Sequence, residues 1–323
     1  MRKEVIFAIL AGAALGLIIA FGIWRANTAI RPLLTPSPVA SVEPVSTVDL
    51  SIAKPDNQAV ITTSTVTVEG ITLPDSFVAV SGESKDYVIK SDSKGSFSLK
   101  VDLIGGLNEV KVFTFDKDGS SKQKKLLLVY SSEFAKYSKE ATPSATTKTE
   151  TATDSVRAKV DAKIEEAKSS PTSYIGAITD ITDTNIQLKS FSGDIEQISF
   201  DKDSTDFIKT TNDTVKTISA KDLAIGDFII AMGTRDGNKI LTGKRILVTD
   251  SYKESTRTAI FATISKIEKK VVTVKDKDGK ETALTFGTDW EGPELKELKV
   301  EDKIIVIGEL KDTGLTVSLV KKI

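Results

Sequence analysis

Two copies of the tetrapeptide Asp-Lys-Asp-Gly are the residues of this sequence that most resemble part of a metal site. They lie at 116–119 and 276–279, and their alternating carboxylates match the opening of a calcium-binding loop. An EF-hand loop also needs a bidentate glutamate at its twelfth position, where this chain has Leu127 and Gly287. Asp-Gly between strands is typical of a hairpin turn. We therefore expect two turns and assign no metal ligand, and a calcium ion held between loops of different strands stays an open alternative.

Nucleophilic and acid–base chemistry is limited by what the sequence lacks. Its 323 residues include no histidine and no cysteine, which removes the commonest general base near neutral pH, thiol nucleophiles and disulfides. Ser-x-x-Lys occurs at 91–94, 121–124 and 318–321, but the companion motifs of the penicillin-binding enzymes are absent. Chance explains such matches in a chain rich in serine and lysine. We assign no catalytic residue, no cofactor-binding residue and no cofactor, and paired carboxylates remain the chemistry open to an enzyme.

The best candidate for ligand binding is Trp290, which lies between Asp289 and Glu291. An aromatic ring beside carboxylates on a loop could stack against a sugar, since loops carry many binding residues. The same ring could instead close the open end of a small β-barrel. The two alternatives differ in the exposure of Trp290, because a sugar platform needs an exposed ring.

The elements that position these residues follow an apolar stretch of twenty residues, Val5 to Trp24. A helix of that length spans about 30 Å, the thickness of the hydrocarbon core of a bilayer. We predict a single-pass transmembrane helix at 5–24 that anchors the chain in the lipid bilayer, with a cleaved signal peptide as the alternative. Gly12 and Gly16 form a G-x-x-x-G pattern, which is typical of close helix packing and would allow a homo-oligomer through the membrane; the alternative, which we favour, is that glycine is simply common in membrane helices. The flanking basic residues barely favour one orientation, and we place the N-terminus inside because the later modules resemble extracytoplasmic ones.

Two further segments have the composition of linkers. Residues 25–47 contain four prolines among serine, threonine and valine, which predicts an extended, semi-rigid stalk. Residues 132–171 are rich in threonine, serine, alanine, lysine and glutamate, which predicts a flexible spacer. Apolar residues recur every fourth position at 154–168, so a short helix is an alternative for that part of the spacer.

Residues 48–131 show the pattern of short strands. Apolar positions alternate with polar ones, as at Val66 and Val68 and again at Phe97 and Leu99, which is the period of a strand with one buried face. Proline, asparagine, aspartate and glycine separate the runs. About seven strands in roughly 80 residues predict a β-sandwich.

Five short motifs in this stretch carry a resemblance to a known family. They are Lys-Pro-Asp at 54–56, Thr-Val-Thr-Val-Glu-Gly at 65–70, Gly-Ser-Phe at 95–97, Gly-Leu-Asn-Glu-Val at 106–110 and Asp-Lys-Asp-Gly at 116–119. Together they resemble the immunoglobulin-like modules of bacterial envelope proteins and of glycan-active enzymes of the glucodextranase type. The resemblance implies an accessory or spacer module without a catalytic site.

Residues 172–323 contain an internal repeat. Residues 222–233 align without a gap with 297–308, and the apolar positions agree throughout. Five short strands in each copy predict two small β-barrels of the OB type, at 172–251 and 256–323. The predicted strands lie near 174–181, 185–189, 195–200, 227–234 and 240–248, and then near 259–267, 271–275, 281–286, 303–310 and 315–322.

The element Leu-x-x-Gly-Asp in this repeat predicts the turn that leads into the fourth strand of each copy. With Gly-Ala-Ile-Thr at 176–179, the segment 222–233 resembles an uncharacterised family of small β-barrels in anchored or secreted bacterial proteins. That resemblance implies a location and a fold but no activity. The second copy has Glu301 where the first has Gly226, so we expect its turn to differ.

These patterns predict a mainly β protein with an N-terminal transmembrane helix, an immunoglobulin-like sandwich and two tandem five-stranded barrels. Our main hypothesis is a non-catalytic protein of the bacterial cell envelope whose C-terminal modules lie outside the cytoplasm, with an envelope glycan or another surface protein as partner. The alternatives are a carbohydrate-binding or glycan-processing accessory protein and an OB-type nucleic-acid binder. The net charge of −1 argues against nucleic acid, because such binders carry a basic groove.

Overall fold

A computed structural model of the protein describes residues 50–138, 170–211, 214–269, 271–312 and 314–323. All of them belong to one compact unit, Val48–Ile323. The predicted transmembrane helix with Gly12 and Gly16, the stalk and the helix at 154–168 lie outside the described residues. Within the described ranges, no helix combines the length and the apolar character that a membrane span requires.

The first part of the fold consists of two sheets that share one core. β1, β3 and β6 form a three-stranded sheet, and β2, β8, β7, β4 and β5 form a five-stranded sheet in that order. The strands are β1 (Ser51–Lys54), β2 (Val60–Ile61), β3 (Thr65–Ile71), β4 (Phe77–Ser81), β5 (Asp86–Lys90), β6 (Ser96–Asp102), β7 (Gly106–Phe115) and β8 (Ser121–Tyr130). We call this pair of sheets the sandwich. The prediction of a mainly β chain is confirmed.

The alternation noted in the sequence places one face of each strand in the sandwich core, since successive side chains of a strand point to opposite faces. Val68, Phe97 and Val101 from the smaller sheet meet Val80 and Leu128 from the larger one, and all five are buried. After β8, a 3₁₀ turn (Ser132–Phe134) and a short helix, α1 (Ala135–Ser138), end this part of the chain.

The first barrel is built from β9 (Pro171–Ile181), β10 (Asn185–Ser190), β11 (Ile195–Phe200), β14 (Phe228–Arg235) and β15 (Ile240–Thr249). Neighbouring strands are antiparallel except that β11 closes onto the first half of β15 in parallel. A hairpin of β12 (Asp206–Thr211) and β13 (Thr214–Ile218) extends the sheet, because β12 pairs in parallel with the second half of β15. This hairpin is formed by residues that have no counterpart in the second copy of the repeat.

The second barrel is a closed five-stranded barrel in the order β16, β17, β18, β20 and β19. Its strands are β16 (Arg257–Glu268), β17 (Val271–Lys275), β18 (Glu281–Glu291), β19 (Lys303–Lys311) and β20 (Gly314–Lys322). All ten strands predicted for the repeat are confirmed within a few residues. The main difference is β18, which continues to Glu291 and pairs with β20 across a register shift after Phe286.

The expectation that the turns of the two copies differ is wrong. Gly226 has φ +95° and Glu301 has φ +75°, so both occupy the left-handed region. Both backbone amides donate to equivalent carbonyls at 2.9 Å, those of Ile178 and Ile264. The hydrogen bonds of this turn hold Glu301 in a conformation that glycine adopts more easily.

The second face of the five-stranded sheet packs against both barrels. Val78 and Val80 of β4 point into the sandwich core, whereas Ala79 between them packs with Phe261 and Ile305 of the second barrel. At the other end of the sheet, Val129 packs with Ile230 and Met232 of the first barrel, beside Ile175 and Phe134. β4 and β7, in the middle of the sheet, are therefore buried on both faces, and the sandwich is the surface on which the two barrels are fixed.

Candidate functional site

A cleft lies between the sandwich and the first barrel. It has a volume of about 560 Å³ and is partly open to solvent. The sandwich contributes the turn 104–107 and the end of β8, and the barrel contributes the outward faces of β12 to β15 and the connector after β15. The residues that line the cleft include Glu83, Ile104, Tyr130, Ile208, Val215, Phe228, Arg245, Asp250, Tyr252 and Lys253.

Aromatic rings form one wall of this cleft. Phe191 lies 5.6 Å from Phe228 and 4.8 Å from Tyr252 between ring centroids, the second pair edge to face. Such geometries are favourable for aromatic pairs. Phe228 and Tyr252 both line the cleft, so the cluster positions an amphipathic ring on the connector between the two barrels. Tyr130 adds a further ring from the sandwich side.

Arg245 lines the cleft, and it shares one carboxylate with Lys136. Asp206 Oδ2 lies 2.7 Å from Lys136 Nζ and 3.3 Å from Arg245 Nη1. Burial tends to raise the pKa of Asp206, but the hydrogen bond from Lys136 and the two positive charges hold this pKa below its ordinary value. The same hydrogen bond raises the pKa of Lys136. Two cations on one carboxylate leave a local positive charge beside the cleft.

Two donor groups of the cleft residues are buried without an acceptor. These are Arg245 Nε and Tyr252 Oη, neither of which has a hydrogen-bond partner among the described residues. A buried polar group without a partner costs about 1–3 kcal/mol. Around them, Glu83 and Asp250 contribute negative charge and Lys253 positive charge. The cleft thus combines apolar surface, aromatic rings and groups of both charges, which is the usual composition of a non-covalent binding site.

The predicted site around Trp290 lies elsewhere, on the second barrel. Trp290 is half-buried, stacks edge to face on Phe286 at 4.9 Å and packs against the barrel core. Asp289 and Glu291 are exposed, and Glu291 Oε1 lies 3.2 Å from Lys85 Nζ of the sandwich. A role for these three residues in ligand binding stays a prediction, and the packing of the ring favours the barrel-closing alternative.

The two Asp-Lys-Asp-Gly segments form tight turns. Asp116 Oδ1 accepts hydrogen bonds from the amides of Asp118 and Ser120, and Asp276 Oδ1 accepts them from Asp278 and Lys280. Among the residues that the structure describes, no three histidine, cysteine, aspartate or glutamate side chains are grouped as metal ligands would be.

The sequence alone does not identify the residues of the cleft. Tyr130 and Tyr252 are far apart along the chain and line the same cleft only because the first barrel docks on the sandwich. One signal was available in the repeat, since the β12–β13 hairpin is an insertion in the first copy only and it contributes Ile208 and Val215 to the cleft.

No protein-family model matches the chain, and no curated protein matches it. A carbohydrate acetylesterase from Xanthomonas citri is 25% identical over 23% of this chain and 17% of its own, with a TM-score of 0.19. A Ca²⁺-stabilised, ice-binding adhesin of an Antarctic bacterium is 14% identical over 86% of this chain and 74% of its own, with a TM-score of 0.19. Invasin, a bacterial integrin-binding protein, is 13% identical over 86% of this chain and 59% of its own, with a TM-score of 0.20.

Proposed function

We propose that this chain is a non-catalytic binding protein of the bacterial envelope, anchored by a helix at 5–24. In this proposal an immunoglobulin-like sandwich carries two OB-like barrels outside the cytoplasm. The observation that carries the binding role is the cleft between the sandwich and the first barrel, where aromatic rings, charges of both signs and two unpartnered buried donors lie together. The apolar stretch Val5 to Trp24 supports the anchored location.

Protease treatment of intact cells tests the location. A C-terminal tag should be preceded by a specific protease site, because the tightly packed β-strands themselves resist cleavage. Loss of the tag from intact cells is the expected result, and a cytoplasmic protein with the same tag and site must keep it. A tag that is removed only after lysis would overturn the extracytoplasmic location.

A second candidate is binding of a carbohydrate in the same cleft. Tyr130 and Tyr252 provide rings, and Glu83, Asp250 and Lys253 provide acceptors and donors for hydroxyl groups, each of which can both donate and accept. Titration of the full chain with soluble peptidoglycan fragments and neutral oligosaccharides tests this candidate. Binding that is lost in Tyr252→Ala and kept in Trp290→Ala would support the cleft, and the reverse would support the predicted site on the second barrel.

A further inference from the structure

The outer strand of the inserted hairpin, β13, is a free edge of the seven-stranded sheet. It pairs with β12 on one side, and no backbone hydrogen bond connects its other side to any described segment. β1, β2, β5 and β6 are also edge strands, but of the described edges only β13 contributes a residue to the lining of the cleft. A free edge beside a cleft is the arrangement that binds an extended peptide as an added strand.

Apolar side chains on the two walls of the cleft are exposed near this edge. Val215 of β13 is 67% exposed, and Ile104 on the sandwich is 47% exposed. Both line the cleft, one on each side. The side chain of an added strand next to Val215 would lie on the same face of the sheet, because the pleat places cross-strand neighbours on one face. An apolar side chain there would cover both residues.

The pairing of the hairpin determines which backbone groups are free. Thr211 pairs with Thr214, with two residues between them in the sequence, and Lys209 then pairs with Lys216. In such a hairpin the pair that flanks the loop is hydrogen-bonded, and hydrogen-bonded pairs alternate with non-hydrogen-bonded pairs. The amides of Val215 and Thr217 therefore point to the free edge, while those of Thr214 and Lys216 point to β12.

The charge at this edge is basic. Lys209 and Lys216 are directly opposite each other, which is unfavourable for like charges. The carboxylate of Asp222 partly compensates the charges of these two lysines. Its pKa is lowered chiefly by hydrogen bonds from Ser219 and further by the charges of Lys216 and Lys209. A second copy of this chain is a poor occupant, because antiparallel pairing of β13 with itself in full register would place Lys216 opposite Lys216.

We infer that the edge of β13 binds an extended, acidic segment of a partner protein as an additional strand. A carboxylate of that segment pairs with Lys216, and an adjacent apolar side chain enters the mouth of the cleft between Val215 and Ile104. This inference rests on the proposed binding role and names the class of partner, a peptide with alternating apolar residues and an acidic residue.

Synthetic peptides test this inference on the full chain in detergent micelles. The probe is the nine-residue peptide Ser-Val-Ser-Val-Glu-Val-Ser-Val-Ser, in which glutamate replaces the central serine, and the matched control has lysine in that position. Fluorescence anisotropy should show that the glutamate peptide binds at least tenfold more tightly than the lysine peptide. Lys216→Glu should reverse this ranking, whereas Lys189→Glu, an exposed lysine on the doubly paired strand β10, should leave it unchanged.

Backbone contacts provide the second measurement. Hydrogen exchange should show protection of the Val215 and Thr217 amides when the peptide binds. The peptide can be N-methylated at every second amide in two patterns, on its odd or on its even residues. Only the pattern that blocks the amides facing β13 should abolish binding. Any one of three results would overturn the inference. These are equal affinity for both peptides, no binding of the glutamate peptide at millimolar concentration, and protection that is confined to other strands. The location experiment on cells is independent of these outcomes, so failure of the two proposals is distinguishable.

Discussion

Lys111 of the sandwich and Ser255 in the connector between the two barrels are joined by a hydrogen bond, in which Lys111 Nζ donates to the Ser255 carbonyl at 2.6 Å. Glu109 Oε1 lies 3.0 Å from the same ammonium, and both side chains are almost completely buried. The Ser255 amide donates to Glu109 Oε2 at 3.3 Å. A buried ion pair therefore fixes the connector, and with it the start of the second barrel, to the five-stranded sheet.

Removal of one partner of this pair should be strongly destabilising. Lys111→Met leaves Glu109 buried without its counter-charge, and we expect a loss of about 3 kcal/mol in the free energy of unfolding, since broken buried pairs typically cost that much. The double variant Lys111→Met/Glu109→Leu should recover most of the loss, because no unpaired charge remains. Urea unfolding of the four proteins measures both effects. A single variant within about 0.5 kcal/mol of the original would contradict a buried pair, because such small changes are typical of exposed ones.

The turn shared by the two barrels predicts opposite effects for two exchanges. Glu301→Gly should stabilise the protein by about 0.5–1 kcal/mol, because a left-handed non-glycine residue costs about 1–2 kcal/mol and the added freedom of the unfolded chain offsets part of the gain. Gly226→Glu should destabilise it by a similar amount. Thermal unfolding of both variants checks the signs. Two shifts in the same direction would show that the turns are not equivalent.

The strands could be predicted because they depend on the alternation of apolar and polar residues along the chain. The cleft could not be predicted, because it forms only where the first barrel docks on the sandwich. A signal of the docking was nevertheless present in the sequence. Residues 126–129 read Leu-Leu-Leu-Val and 304–307 read Ile-Ile-Val-Ile, and continuous apolar runs are typical of strands buried on both faces. In the fold, Leu128 faces the sandwich core and Val129 faces the first barrel. What such a run cannot specify is which surface covers its second face, so Tyr130 and Tyr252 could not be brought together from sequence.

Glu196 predicts how stability depends on pH. Burial, and then the charge of Asp194, raise its pKa to about 7, although Arg235 opposes the shift. Because the pKa is raised in the folded state, the contribution of Glu196 to the free energy of unfolding is complete below its ordinary pKa. This contribution is lost as the pH rises through about 7. The free energy of unfolding of Glu196→Gln should therefore rise by about 1 kcal/mol, relative to that of the original protein, from pH 4.5 to pH 8. The expected magnitude is reduced because the carboxyl group is half-exposed.

Denaturant unfolding at the two pH values measures this difference, and Asp302→Asn provides a control whose difference from the original protein should stay nearly constant between them. The pKa of Asp302 is lowered by its hydrogen bond from Lys322 and then by that from the Lys299 amide. Its stabilising contribution is therefore complete above the ordinary pKa of an aspartate and is lost only at a pH below both measurements. An advantage of Glu196→Gln that does not change with pH would show that the carboxyl group does not titrate as inferred.

Trp290 allows a test between barrel closure and ligand binding. The ring packs on Phe286 and on the core of the second barrel, so Trp290→Ala should lower the free energy of unfolding by about 2 kcal/mol, from lost apolar burial and a lost aromatic pair. Trp290→Phe should retain about half of that contribution. The double variant Asp289→Asn/Glu291→Gln should change stability by about 0.5 kcal/mol or less, because the ion pair of Glu291 with Lys85 is exposed. If Trp290→Ala instead leaves the urea midpoint unchanged and abolishes binding of peptidoglycan fragments, the ring is a ligand platform and does not close the barrel.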